Sequence, residues 1–320
     1  MPYKPPYSLT SEIQLALGEV IRLIGQLEGY QLLAGNLRLR RENKIKSLHS
    51  SLAIEGNRLT QQQVTAILEG KPVLGPPRDI QEVKNAIDVY DSVGDLKSTD
   101  EDDLLGAHGM LMQALIDDAG RYRNSGVGVV DGDRVIHIAP PARQVPRLMG
   151  ELFDYVVNYP EDTVLKSCVF HYEFEFIHPF SDGNGRMGRL WQTVLLKEKY
   201  PTLQYVPLET IVHSRQQGYY GALSHSQSVG NSNPFIVYML AAMQEALTQQ
   251  LQTDNIQLTP SDRLVAYREI IGTATFTRKQ YQQFHKAISP ATATRDLRKG
   301  VDQDRLIKSG DQADATYRFA

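Results

Sequence analysis

Apolar residues recur at three- to four-residue steps through most of this chain, and this spacing constrains the fold more than any other feature. In residues 11–32 the apolar face consists of Ile13, Leu17, Val20, Ile21, Ile24 and Leu27. Such spacing is typical of an amphipathic helix. The other helices predicted before residue 258 cover residues 37–54, 61–68, 80–93, 102–115, 145–157, 163–177, 184–199, 216–224 and 234–250. The sequence therefore predicts a mainly α fold.

One β-hairpin is predicted within this helical pattern. Apolar residues at 127–130 precede Asp131-Gly132, and apolar residues at 135–138 follow it. Asp-Gly between two apolar runs is a strong local cue for a tight turn between antiparallel strands. Because a single hairpin in a helical protein is usually peripheral, its position decides whether it has a function.

The last part of the chain differs from the rest in charge. From Leu258 onward there are 11 Lys and Arg against 7 Asp and Glu, whereas the preceding 257 residues carry 23 basic and 30 acidic side chains. Residues 249–260, rich in Gln, Thr and Asn, are predicted to form a linker. Helices over 261–271, 278–284 and 291–299 and two short strands ending near Phe319 are expected after it. We therefore expect a small, separate C-terminal domain.

Cysteine content and hydropathy exclude two classes of protein. Cys168 is the only cysteine, so a disulfide framework is excluded. No apolar stretch reaches the roughly 18 residues that a membrane-spanning helix needs. The first residues also lack the apolar core of a secretion signal. We expect a cytoplasmic protein with no membrane partner.

The run from His178 to Arg189 is the strongest candidate for a functional site. Gly183 and Gly185 allow the backbone to approach a ligand closely. The helix predicted to begin at Asn184 points unpaired N–H groups and its positive dipole end into the same loop. The loop is therefore expected to bind an anion.

Charged residues around this loop add the groups that a nucleotide reaction needs. Arg186 and Arg189 are three positions apart on one helix, which is the spacing of a polyphosphate clamp. Asp182 supplies a hard oxygen ligand suited to Mg²⁺. His178, in a stiff His-Pro step, is a candidate general base near neutral pH. Taken singly, each has a simpler explanation as a helix-end or solvent-exposed residue.

A second interpretation of the same glycines is a dinucleotide-binding fingerprint. Gly183, Gly185 and Gly188 fit the spacing Gly-x-Gly-x-x-Gly, and the aromatic residues between 170 and 176 alternate as in a strand. Glu209 falls near the position expected for a ribose ligand. However, no alternating series of strands and helices surrounds the motif, as a doubly wound sheet requires.

The run resembles the signature of the Fic family, His-x-Phe-x-Asp/Glu-Gly-Asn-Gly-Arg-x-x-Arg, and every fixed position is filled. The resemblance implies a Fic-type helical bundle with a hairpin flap, in which AMP passes from ATP to a Ser, Thr or Tyr hydroxyl of a target protein. It implies that His178 is the general base and that Asp182 helps to hold Mg²⁺. The nucleotide-binding residues that it implies are Phe180, Gly183, Asn184, Gly185, Arg186 and Arg189.

Three further segments carry the resemblance. Residues 127–138 resemble the family's flap, which aligns a target segment by strand-like pairing. Gly120-Arg121-Tyr122-Arg123 matches the usual lead-in to that flap. Tyr219-Tyr220 corresponds to a tyrosine pair near the nucleotide base, although ordinary core packing explains the pair equally well.

Ser51-Leu52-Ala53-Ile54-Glu55-Gly56 is similar to the family's inhibitory motif, Ser/Thr-x-x-x-Glu-Gly/Asn. A glutamate at a helix C-terminus is unfavourable against the dipole, which indicates a partner elsewhere. The resemblance implies that Ser51, Glu55 and Gly56 restrain the enzyme, with Glu55 on Arg189 in place of the γ-phosphate. In some relatives the same glutamate positions a water that removes AMP, so removal is an alternative direction.

The resemblance implies three parts: an N-terminal helical region at 1–70 with the inhibitory motif, a catalytic core at 71–250 and a winged-helix-like domain at 258–320. The last would serve as a DNA-binding or protein-docking module, and a homodimer is a further expectation. Some relatives transfer UMP, phosphocholine or a phosphate, which leaves the cargo open. A nucleotide-sensing DNA-binding regulator is the non-enzymatic alternative.

Overall fold

Most of the chain is helical, and its backbone falls into two compact units. The computed structural model describes residues 4–29, 37–126, 128–131, 134–254, 259–285, 288–310 and 315–320. One unit comprises Met1–Ile24 with Glu42–Thr248, and the other Gly25–Arg41 with Gln249–Ala320. Within the described ranges, no helix is both long and apolar enough to span a lipid bilayer. The predicted mainly α fold is confirmed.

The helices up to residue 254 are α1 (Ser11–Gly29), α2 (Leu37–Ile54), α3 (Gln61–Leu68), α4 (Pro77–Ser92), α5 (Glu101–Leu111), α6 (Val145–Asn158), α7 (Thr163–Ile177), α8 (Asn184–Lys199), α9 (Leu208–Ser214), α10 (Gln216–Val229) and α11 (Asn233–Asp254). Short 3₁₀ turns lie at Ala142–Gln144 and Pro201–Tyr205. Most of these helices were predicted, but α9 was not. The linker predicted from residue 249 is wrong at its start, because α11 continues to Asp254 and buries Gln250.

Side-chain caps explain where several helices begin. Thr60 accepts a hydrogen bond from the backbone of Gln63 while the Gln63 side chain accepts one from the backbone of Thr60, so the two residues form a capping box at the start of α3. The Asp100 and Asp162 side chains accept backbone N–H groups at the starts of α5 and α7. These bonds satisfy donors that a helix leaves unpaired in its first turn.

The helices α7 and α8 form the centre of the first unit. Along α7, large side chains are buried on several faces, among them Phe170, Tyr172 and Phe174. A helix that is apolar all round is typical of a core position. The strand-like alternation of these aromatic residues therefore does not produce a strand. The sheets in the described residues contain only antiparallel pairs, so the dinucleotide-binding interpretation finds no parallel sheet.

The predicted hairpin is present. Strands β1 (Gly128–Asp131) and β2 (Arg134–Ile138) pair antiparallel, from Gly128 opposite Ile138 to Asp131 opposite Arg134. The register shifts between Val129 and Val130, which is a bulge-type irregularity. The glycine of the predicted turn, Gly132, lies outside the described residues.

In the second unit, the segment after residue 259 combines helices with a small sheet. Its elements are α12 (Pro260–Ile271), β3 (Phe276–Thr277), α13 (Arg278–Phe284), α14 (Pro290–Asp302), β4 (Leu306–Ser309) and β5 (Thr316–Phe319). The strand order is β3-β5-β4, so β5 pairs with a third strand that was not predicted. Tyr267, Phe276, Tyr281, Leu297 and Phe319 pack in its core.

Candidate active site

The loop between α7 and α8 has a backbone fixed by its own residues. His178 ends α7 in the left-handed conformation, with φ 51° and ψ 61°. Gly183 precedes α8 with φ 84°, and a Cβ there would lie 2.7 Å from the sulfur of Met112. Glycine satisfies both requirements at position 183, because it adopts a positive φ readily and has no Cβ to collide with Met112. The Asn184 side chain bonds the N–H and the C=O of Phe180, each at 2.9 Å. These contacts fix the backbone of the loop.

Phe180 is buried beneath the loop and stacks on His108 of α5, with ring centroids 3.6 Å apart and planes 4° from parallel. The backbone N–H of Gly120 donates to Nδ1 of His108 at 2.9 Å, so Nε2 carries the proton and donates to the carbonyl of Asp182 at 3.0 Å. Burial lowers the pKa of His108 to about 4. A neutral imidazole therefore supports the loop.

His178, the predicted base, lies half-buried at the end of α7. Its Nδ1 is 3.3 Å from the carbonyl of Glu175, which can only accept a hydrogen bond. Nδ1 therefore carries the proton in that contact, and Nε2 is the nitrogen that can receive one from a substrate.

The Glu55 carboxylate lies against the first turn of α8. A Cβ built on Gly185 would be only 2.4 Å from Oε1 of Glu55. The same region carries the unpaired N–H groups and the positive dipole end of the helix, which favour an anion. The carboxylate of Glu55, directly after the end of α2, thus occupies a position suited to a phosphate.

Arg189 holds this carboxylate from the other side. Its Nη2 donates to Oε1 of Glu55 at 2.8 Å and to the carbonyl of Ser51 at 2.9 Å, and Nε donates to Oγ of Ser51 at 3.2 Å. Burial disfavours the charged guanidinium, but the negative charge of Glu55 raises the pKa of Arg189 overall. Nη1 is buried and makes no hydrogen bond to any described residue. The predicted contact between Glu55 and Arg189 is present.

Arg186 and Asp182 form a second charged group at the loop. Arg186 is 5% exposed, and its Nη2 donates to Oδ1 of Asp182 at 3.2 Å. Its Nη1 lies 3.4 Å from Oε1 of Glu82 on α4. On the solvent side, Nη2 of Arg78 donates to Oδ2 of Asp182 at 3.0 Å. Both arginines of the expected clamp are therefore buried and paired with carboxylates, not solvated.

The surroundings of Asp182 decide whether Mg²⁺ fits this site. No group of three or more His, Cys, Asp or Glu side chains in the described residues could hold a metal ion. The Asp182 carboxylate is 42% exposed. Magnesium commonly combines one or two carboxylates with phosphate oxygens and water. The donor set therefore fits Mg²⁺ arriving with a nucleoside triphosphate and does not fit a resident metal.

The two predicted base-binding tyrosines differ in environment. Tyr219 is 1% exposed, and its hydroxyl lies 2.9 Å from Nε2 of His171. Tyr220 is 43% exposed, with its ring 5.3 Å from that of Tyr219. Tyr220 is therefore the member of the pair that a ligand can reach, and Tyr219 packs below it.

Several residues of the site were missed in the sequence, and they come from distant segments. Arg78, Glu82 and His108 lie on α4 and α5, far along the chain from the loop they contact. Glu175 is in α7, and burial raises the pKa of its carboxyl to about 8. Oε1 of Glu175 makes no hydrogen bond to a described residue. Two acidic residues, Glu173 and Glu175, inside a mostly aromatic and apolar helix were the available signal for this last group.

Comparisons with known proteins agree with this geometry. A model of the Fic/DOC family matches residues 98–196, which include the loop. A curated protein adenylyltransferase, fic-1 of Caenorhabditis elegans, is 28% identical over 72% of this chain and 47% of its own. A second, from Nematostella vectensis, is 26% identical over 71% of this chain and 54% of its own. The chain spans about half the length of these relatives.

Solved structures extend the match to the whole chain. The crystal structure of a Fic family protein from Desulfovibrio desulfuricans is 40% identical, covers 99% of this chain and 98% of its own, and superposes with a TM-score of 0.77. A structure of Fic-1 from C. elegans, at 22% identity and a TM-score of 0.63, shares the fold over 76% of this chain and 73% of its own. On the end-to-end match at 40% identity, this chain belongs to the Fic/DOC family.

Proposed function

We propose that this chain transfers AMP from ATP to a hydroxyl group of a target protein and that Glu55 restrains the reaction. The proposal rests on one observation: Glu55 lies on Arg189 and against Gly185 at the start of α8. A helix N-terminus and a buried guanidinium are anion-binding groups, and here the chain's own carboxylate covers both. The names of the two curated relatives support AMP as the group transferred.

In the proposed reaction, Nε2 of His178 removes the proton of a Ser, Thr or Tyr hydroxyl while its oxygen bonds to the α-phosphorus of ATP. The bond from that phosphorus to the oxygen bridging toward the β-phosphate breaks, and pyrophosphate leaves. The N–H groups at the start of α8, with Arg186 and Arg189, face the negative charge that develops. Mg²⁺, when bound with ATP beside Asp182, would neutralise further phosphate charge.

Glu55 restrains this reaction because one group cannot bind two anions in the same place. While Arg189 donates to Glu55, its Nη2 is unavailable to the terminal phosphate. A triphosphate then either displaces Glu55 or binds in a pose that leaves the α-phosphate away from His178. Glu55 is about a third exposed and is held by a single side-chain hydrogen bond, so displacement is feasible.

Labelled nucleotides test the proposal directly. Purified Glu55→Gly protein, supplied with Mg²⁺ and cell lysate, is incubated in turn with ATP labelled in the adenine and ATP labelled only at the γ-phosphate. We expect adenine label on protein, roughly ten- to hundredfold above wild type, since a hydrogen bond to a charged group contributes about 1.5–3 kcal/mol. His178→Ala in the same background should remove the label.

Glu69→Gly is the matched control, because Glu69 also lies at a helix end and pairs with a neighbouring lysine. It should transfer no more than wild type. Transfer of label from the γ-phosphate of ATP would identify a phosphate as the transferred group. Transfer of label from a uridine nucleotide would identify UMP. Loss of label from modified protein on adding wild type would identify AMP removal. No nucleotide binding by Glu55→Gly protein would overturn the proposal.

A further inference from the structure

Arg123 is a buried arginine that has no carboxylate partner in the part of the chain that the structure describes. It is 3% exposed, and its side chain makes four hydrogen bonds, all to backbone carbonyls. Burial lowers the pKa of Arg123. A charge taken out of water is destabilising unless hydrogen bonds replace its hydration, so these carbonyls are what keep the guanidinium in place.

Two of the carbonyls belong to the end of α7, where the proposed base is. Nε donates to the carbonyl of His178 at 2.7 Å, and Nη2 donates to that of Ile177 at 3.2 Å. The backbone N–H of Arg123 also donates to the carbonyl of Pro179 at 2.9 Å. A helix leaves its last carbonyls unpaired and carries partial negative charge there, which a guanidinium matches.

The other two carbonyls flank the β1–β2 hairpin. Nη1 donates to Ser125, three residues before β1, at 2.9 Å. Nη2 also donates to Pro140, two residues after β2, at 2.6 Å. One planar guanidinium therefore joins both ends of the hairpin to the backbone of His178.

This bridge acts where the backbone is strained. His178 has φ 51°, a conformation that side-chain-bearing residues adopt at a penalty of about 1 kcal/mol or more. The direction of its imidazole depends on that conformation. With the carbonyls of residues 177, 178 and 179 all bonded to Arg123, the backbone cannot rotate freely about this position.

We propose that Arg123 is a positioning residue: it holds the hairpin ends and His178 in one frame, so that a target segment laid along the hairpin presents its hydroxyl at a fixed distance from Nε2. The inference rests on the proposed transfer reaction. The side chain of Arg123 bonds only to backbone carbonyls, two of them at the end of α7, so we expect it to act on the proton transfer through the backbone of His178. Its loss should therefore lower the turnover rate and leave nucleotide affinity unchanged.

The test compares Arg123→Lys with Arg121→Lys, an exposed arginine of the same loop, both in the Glu55→Gly background. A lysine keeps the charge but cannot reach carbonyls on both sides. We expect Arg123→Lys to lower kcat for AMP transfer by about a hundredfold, the effect of misplacing a reacting group by roughly 1 Å. Affinity for a fluorescent ATP analogue should stay within about twofold, and Arg121→Lys should change neither quantity by more than about twofold.

Hydrogen exchange supplies a readout that needs no activity. Amides of the hairpin and of the residues after Ile177 should exchange faster in Arg123→Lys than in Arg121→Lys, while those of α8 stay protected. Transfer within about twofold of the parent, or a parallel loss of ATP affinity, overturns the inference. If the Glu55→Gly parent transfers nothing, the proposed function is wrong, and unchanged exchange in Arg123→Lys would separately refute the bridge.

Arg123→Ala provides a second variant should the lysine protein not fold. Its cavity has the shape of a guanidinium, so free guanidinium ion should restore transfer, whereas ammonium at equal ionic strength should not. Protein that binds the ATP analogue but recovers nothing with guanidinium would count against the bridge.

Discussion

Two arginine–carboxylate pairs in this chain differ in how completely they satisfy each other. In the C-terminal segment, Arg263 meets Asp296 with two bonds, Nε to Oδ2 at 2.5 Å and Nη2 to Oδ1 at 2.8 Å. At the loop, Arg189 meets Glu55 with one side-chain bond and keeps a buried Nη1 without a partner among the described residues. Asp296 is inaccessible, whereas the Glu55 side chain is 32% exposed.

The difference separates a structural pair from an exchangeable one. In a buried bidentate pair, each residue has no other group with which to pair. Removing one of the two therefore leaves the other as an uncompensated buried charge. A single bond to a carboxylate that is about a third exposed, beside an unsatisfied donor, can be replaced by bonds to a better acceptor. A triphosphate offers more acceptor oxygens than the single Oε1 through which Glu55 bonds Arg189. The proposed function requires that Arg189 can exchange Glu55 for a phosphate, and its single bond to Glu55 with a free-standing Nη1 among the described residues allows this exchange.

The largest expected effect breaks the satisfied pair. Asp296→Asn keeps the shape but removes the charge, and should lower the free energy of unfolding of the C-terminal segment by about 3–5 kcal/mol. Loss of hydrogen-exchange protection in α12 and α14 measures it. Asp302→Asn, whose partner Arg298 is 4.0 Å away at the surface, is the control and should change stability by less than about 0.5 kcal/mol. If Asp296→Asn lowers the free energy of unfolding by less than about 1 kcal/mol, the Arg263–Asp296 pair is not the more stabilising of the two pairs.

The next largest effect is expected when the pair of Arg189 and Glu55 is broken. Glu55→Gln should raise affinity for a triphosphate by roughly ten- to hundredfold, because Arg189 no longer has to release a charged acceptor. It should lower the free energy of unfolding by less than Asp296→Asn does, because Glu55 is about a third exposed and Arg189 keeps its hydrogen bonds to Ser51. Calorimetric titration and thermal unfolding measure the two quantities, with Glu69→Gln as control. Destabilisation comparable to that of Asp296→Asn would make both pairs structural.

A smaller effect concerns Glu175, a carboxyl near Arg189. Burial raises its pKa to about 8, with Arg189 acting in the opposite direction and Glu55 reinforcing the rise. His171, 3.8 Å away, has its pKa lowered to about 3 by burial and does not titrate in this range. The folded protein therefore holds a proton that the unfolded chain releases near pH 4.5. This contribution to stability falls as pH rises from that value to about 8.

Denaturation at about pH 6 and about pH 9 should show wild type losing about 3 kcal/mol relative to Glu175→Gln. Triphosphate affinity should fall over the same interval in wild type, because ionised Glu175 competes for Arg189. Parallel pH profiles in the two proteins would show that Arg189 has no second acidic neighbour of consequence.

The smallest effect concerns the exposed pair of Arg78 and Asp182. Both side chains are roughly half exposed, at 56% and 42%, so the pair is weak. Arg78→Ala should lower the Mg²⁺ concentration for half-maximal transfer by about two- to threefold, because a cation no longer competes for Asp182. Binding of Mn²⁺ with ATP, followed by electron paramagnetic resonance, is the independent measurement. Arg147→Ala, at another exposed pair, is the control, and weaker metal binding in Arg78→Ala would contradict the prediction.

The sequence predicted the local parts of this site and missed the distant ones. The bounds of α7 and α8 follow from apolar spacing and from the glycines between them, and the contact of Glu55 with Arg189 followed from the family motif. Helix α9 was missed because seven residues after a proline give too short a periodic pattern. The residues on α4 and α5 were missed because only tertiary packing brings them to the loop.

The stack of His108 on Phe180 bears on protein engineering. His108 fixes the carbonyl of Asp182 from a helix 74 positions earlier in the chain. Grafting the segment from His178 to Arg189 onto another helical scaffold would therefore transfer the reactive residues without His108, which supports the loop from below Phe180. A working transplant has to carry α5 and the turn at Gly120 as well.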